Sequence, residues 1–280
     1  MAADTARNTL KSRMDDLMLQ ASRVPFQNNH PLRVIQAGKS IIGLDRENPC
    51  EKLLKWLEEY LSGFPSDFMV PELKEPAPET IAYPQLEQII LDRNLQKAED
   101  YLNYLLRVGD SRHIAEFLLE VAAERSIQST LFCWSAFRCI QFVNNREIVA
   151  VLFLCLEELC DESAGNMQNT ELSILKFELY CHHFQIHKTD MVRNSKILPK
   201  IQQQIEAMKA GMDENIPTEL SAELLDYIQS KGKSGILTWL NGQDIKVITP
   251  QLILILDAVR SAMTFAKPNF REQLLAGVGI

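Results

Sequence analysis

Apolar positions along this chain fall into short stripes with helical spacing, separated by polar breaks. Leu10, Met14, Leu17 and Ala21 share one face between about Thr5 and Ser22, while Lys11, Arg13, Asp15 and Asp16 lie away from it, which predicts an amphipathic helix. Pro25 and Asn28-Asn29 stop it. A second helix is expected from Pro31 to about Ile42 and a third from Pro49 to Leu61, because a proline in the first helical turn gives up an N–H that has no partner there. The stretch from Phe64 to Pro84 breaks the pattern with five of the chain's 12 prolines. It is expected to be an extended connector, laid along a surface by Phe64, Phe68, Met69, Val70 and Ile81.

From Gln85 onward the stripes become regular, and Arg93-Asn94, Gly109-Asp110, Asn144-Asn145 and Lys231-Gly232 separate them. Gly and Asn close helices in the left-handed conformation, so these breaks read as the turns of antiparallel helix hairpins. Two hairpins match at identical spacing: Ile90, Asn94, Ala98, Tyr101, Leu102 and Asn103 fall opposite Ile228, Gly232, Ile236, Trp239, Leu240 and Asn241. The segments Leu131 to Val143 and Arg146 to Cys160 are apolar nearly all round, which places them at the centre of the core. After the Gly165-Asn166 loop, helices are expected over Glu171 to His187, Ile197 to Lys209, Ser221 to Gln229, a short stretch to Leu240, and Pro250 to Phe265. Thr249-Pro250 supplies an N-cap and first-turn pair for the last of these. A mild apolar run, Leu274 to Ile280, ends the sequence.

The predicted fold is all-α: an irregular α-α superhelix or helical bundle of consecutive antiparallel hairpins, HEAT-like in general character. The predicted division is an N-terminal helical unit over residues 1–63, the proline-rich connector over 64–84, and a helical-repeat-like body over 85–280.

Composition narrows the function classes. The chain has 280 residues, 46% hydrophobic and 24% charged, and only 11 glycines, a bias toward helix in a globular protein. A net charge of −8 argues against nucleic-acid or anionic-membrane partners, and the basic run Lys188, Arg193, Lys196 and Lys200 is interrupted by Asp190. The six cysteines sit mostly inside apolar runs with no CxxC pair, the usage of buried free thiols in a reducing compartment. Acidic residues among the first apolar positions argue against a leader peptide. The longest apolar run, Ile148 to Leu156, is too short to span a bilayer, so a cytoplasmic location is expected.

The strongest chemical constellation is Glu178, His182, His183 and His187. On a helix His183 and His187 share a face, as do Glu178 and His182, and imidazole pairs at that spacing chelate transition metals. The competing account is the polar end of a helix, where histidines meet the helix dipole. His30 and His113 stand at helix starts, as acid–base candidates or as capping residues. Gly38-Lys39-Ser40 and Gly232-Lys233-Ser234 are not phosphate loops, because Arg33 and Tyr227 occupy the position that needs an earlier glycine. Glu157-Glu158 and Asp161-Glu162 read as the solvated end of an apolar helix. The expected function is a non-catalytic helical scaffold, adaptor or complex subunit that binds a protein partner through grooves between hairpins, with no cofactor. The alternative is a metal-dependent or small-molecule-binding enzyme using Glu178, His182, His183 and His187. Self-association through the N-terminal helix or the apolar tail is a third possibility.

Overall fold

The computed structural model describes residues 2–69, 80–143, 145–161, 169–209 and 217–276. Most of the proline-rich connector, Asn144, the Gly165-Asn166 loop and the last residues of the tail lie outside that range. Among the described residues the chain forms 14 α-helices and no strand. Among them, too, no helix is long and apolar enough to cross a membrane.

Helix starts follow the sequence signals closely. α1 (Ala2–Ser22), α2 (Leu32–Ile42) and α3 (Glu51–Ser62) lie in the N-terminal quarter, followed by the pair α4 (Tyr83–Leu91) and α5 (Leu95–Val108). Asn94 caps α5 by accepting from the Lys97 N–H, and the left-handed residue of that turn is its neighbour Arg93 at φ 54°. Asn94 was the expected left-handed position; its carboxamide is instead used on the next helix, where an exposed N–H needs it more. α6 (Ser111–Arg125) starts from Asp110, whose carboxylate accepts from the Arg112 and His113 N–H groups.

α6 and α7 (Ile127–Cys139) meet at Ser126, a junction that no glycine, asparagine or proline marks. Ser126 is fully extended at φ −154° and ψ 161°, and its hydroxyl accepts from the Ser129 N–H, so one residue ends one helix and caps the next. The break turns α7 back along α6, giving one of the most intimate helix pairs in the fold.

α8 (Asn145–Cys160), α9 (Asn169–Lys188) and α10 (Asn194–Lys209, with Pro199 in its second turn) follow. Then come α11 (Ala222–Lys231), α12 (Ser234–Gly242), a 3-10 turn at Ile245–Val247, α13 (Pro250–Phe265) and α14 (Pro268–Leu275). Thr249 accepts from the Leu252 N–H at the head of α13. α14, introduced by Pro268, covers the start of the segment expected to be a simple tail.

The centre is built from α2, α7, α9 and α13. α13 lies against both α9 and α2, and α7 touches α2, α6, α8 and α9. α7 is buried at every position from Ser129 to Cys139, as a helix apolar on all sides must be. One apolar cluster runs from Met14 in α1 through Leu57 in α3 and Phe137 in α7 to Leu274 in α14. α2 reaches this centre despite Arg33, Gln36, Lys39 and Ser40: Arg33 donates to Glu178, the Gln36 amide to the Ser40 hydroxyl, and Lys39 lies over the Phe142 ring. Arg138 of α7 binds Asp257 of α13 at 2.7 Å and Ser40 at 2.5 Å, and Arg260 closes on the other Asp257 oxygen at 2.7 Å.

Candidate functional site

The head of α2 opens into a cleft of about 640 Å³. Its walls come from six helices and the loop before α2: Arg33 and Val34 of α2, Tyr60 of α3, Gln128 and Phe132 of α7, and Glu158 of α8. Glu171, Ile174, Leu175 and Glu178 come from α9, and Pro250, Gln251 and Leu254 from α13. Gln27, Asn28, Asn29 and Thr249 form much of the rim. Asn29 turns the chain there at φ 60°, a conformation that asparagine tolerates better than most residues.

His30, an acid–base candidate in the sequence, serves as a brace. Its Nδ1 accepts from the Leu32 N–H at 3.2 Å, so Nε2 carries the proton and donates to the Val24 carbonyl at 2.9 Å. Burial pushes its pKa down to about 4, and the ring stands edge-on to Phe132 with centroids 5.8 Å apart. Imidazole, loop and the head of α2 thus form one rigid corner of the cleft.

Beside it, Arg33 donates to Glu178 at 2.6 Å, with side-chain exposures of 10% and 3%. Burial raises the pKa of Glu178 and the guanidinium of Arg33 works against that rise. Glu158, across the cleft on α8, is 4% exposed. Its carboxylate accepts from the Ser129 hydroxyl at 3.0 Å and from the Gln128 amide, and among the described residues no lysine or arginine forms an ion pair with it. Its pKa is raised, chiefly by burial. The expected solvated end of α8 is corrected at this residue: Glu158 falls three, four and seven positions after Cys155, Leu154 and Val151, on a stripe that is buried.

The four metal candidates do not converge. Glu178 is engaged by Arg33, and His182 stands 3.9 Å from Asp257 with its pKa pushed down to about 3, mainly by burial. His183 interacts through Nδ1 with the Tyr180 carbonyl and packs on Phe184 at 3.8 Å between centroids, while His187 is exposed in the last turn of α9. Among the described residues no group of three or more His, Cys, Asp or Glu side chains is arranged to hold a metal ion. His113 is exposed in the first turn of α6. Of the basic run, Arg193 and Lys200 are paired with Glu120 at 2.7 and 3.1 Å, and Lys200 also with Glu124 at 2.7 Å.

Comparison with known proteins gives no match to a family model, to a curated protein or to a solved structure.

Proposed function

We propose that this chain is a non-catalytic helical scaffold or complex subunit that holds a segment of a protein partner in the cleft at the head of α2. The observation that carries the reading is the construction of the cleft. Phe132, Ile174, Leu175 and Leu254 give its walls apolar surface, and the exposed Gln27, Asn28 and Asn29 bring polar groups to its rim. Apolar surface inside a polar rim suits a protein interface. Three polar groups of the cleft are committed to holding helices: His30 to the start of α2, and Arg33 and Glu178 to each other. The consecutive pairs α4–α5 and α11–α12 pack on each other, as the members of helix hairpins do.

Site-directed photo-crosslinking in the native cell tests this reading. A photoreactive amino acid at Gln27, exposed on the rim, is expected to attach one protein reproducibly. The same group at Glu206, exposed on α10 and away from the cleft lining, should not attach it. Equal products from the two positions, or none from Gln27, would reject it.

A further inference from the structure

We infer that the cleft receives a basic side chain, a lysine or arginine, presented by that partner segment; this rests on the partner-binding reading above. The charges lining the cleft do not balance. Two buried carboxylates, Glu158 and Glu178, share one guanidinium, Arg33, and Arg33 is hydrogen-bonded to Glu178. Glu158 stands in a desolvated wall, hydrogen-bonded by the Ser129 hydroxyl and the Gln128 amide, while Arg33 acts on it through space without an ion pair. A buried carboxylate without a cation is costly, and a cation brought by a partner removes that cost at the moment of binding.

At the helix heads around the cleft one N–H each is already met by the chain itself, since the His30 imidazole takes that of Leu32, Ser126 that of Ser129 and Thr249 that of Leu252, which lessens their pull on an anion. The walls suit a long aliphatic stem, since Phe132, Ile174 and Leu175 line the cleft together with Glu158. Lysine and arginine are the side chains that bury a stem against apolar surface while keeping a charged head on a carboxylate. A volume of about 640 Å³ exceeds one such side chain and leaves room for its flanking backbone. The chain's net charge of −8 adds to the field that draws a cation in.

The test is selection of a displayed library of random 12-residue peptides on the full chain, followed by fluorescence anisotropy of the selected peptides. Peptides enriched in Lys or Arg beside apolar residues are expected. Replacing the basic residue by norleucine should weaken binding to the unaltered chain at least ten-fold. Glu158→Gln, which keeps the acceptor for Ser129, should weaken it comparably while leaving the melting temperature unchanged or raised. A merely structural Glu158 would instead lower the melting temperature and leave affinity in place. Peptides that crosslink into the cleft without a basic residue, or that are indifferent to both norleucine and Glu158→Gln, overturn this inference and leave partner binding standing. Failure of every peptide to enter the cleft, together with no product from the Gln27 crosslinker, overturns both.

Discussion

Asp257 is 1% exposed and carries its charge between Arg138 and Arg260. Burial works to raise its pKa, but the two guanidiniums outweigh it and hold the carboxyl well below the usual carboxylate range. Asp257→Ala strands Arg138 in the core and is expected to cost about 3–5 kcal/mol, read from urea unfolding; a loss near zero would mean that water reaches the pair. His182 obeys the opposite logic. Its folded pKa near 3 and that of His30 near 4 lie below the ordinary 6.5, so the unfolded chain binds more protons once the pH drops under 6.5. Stability then falls as pH decreases from 6.5 toward 4, by up to about 1.4 kcal/mol per pH unit for each histidine. Glu157, raised to about 7 by burial, opposes them, since its charge is unfavourable above that pH and relieved below it. His182→Gln should make the acid limb of stability against pH shallower; an unchanged limb would place a charged, hydrated His182 in the native protein. These roles were hard to read in the sequence for one reason. Arg33, Arg138 and Asp257 look like surface charges until partners 145 or 119 residues away come alongside, and no local pattern records such pairings. Glu158 was misread as part of a solvated helix end, although its place on the buried stripe of α8, after Val151, Leu154 and Cys155, is local information.

Helices themselves were largely readable, because caps and periodicity act over a few residues. Thr249-Pro250 marked α13, and the apolar girth of α7 marked its central place. The junction at Ser126 was not legible, since serine is tolerated inside helices and only its hydroxyl bond to the Ser129 N–H reveals the cap. Ser126→Ala should cost about 1 kcal/mol, read from thermal or urea unfolding, with the larger effect on the α6–α7 pair in hydrogen exchange. Helix proximity was equally hidden. A Cβ on Gly235 would lie 2.5 Å from the Tyr227 carbonyl carbon, so α12 approaches the backbone of α11 more closely than any side chain allows. Gly235→Ala forces the two helices apart, and a destabilisation of about 1–3 kcal/mol is expected, whereas Gly242→Ala, with open space around it, should stay within about 0.5 kcal/mol. Gly38 plays the corresponding part for α2, where an added Cβ would stand 2.6 Å from the Leu57 side chain.

At the scale of the molecule, α2 is the piece that the rest closes around. It lies against α1, α3, α7, α12 and α13, and its arginine and serine complete buried networks on α9 and α7. The full chain is therefore expected to unfold in one cooperative transition. Residues 85–280 alone, which would expose the faces of α7 and α13 that α2 covers, should show no cooperative melt by circular dichroism. A sharp transition for that fragment would restore the N-terminal helices to the status of an independent unit. The same closure shuts in all six cysteines, which are free and buried, and burial pushes the thiols of Cys50, Cys133, Cys139, Cys160 and Cys181 upward in pKa. Only a thiolate reacts quickly with an alkylating reagent, so the native protein is nearly inert to one while any opened molecule is trapped. The cysteines thus amount to a set of internal clocks. Alkylation of Cys50 beside α3, of Cys181 in α9 and of Cys160 at the end of α8, followed over time by mass spectrometry, would give the rate at which each region breathes without any added probe.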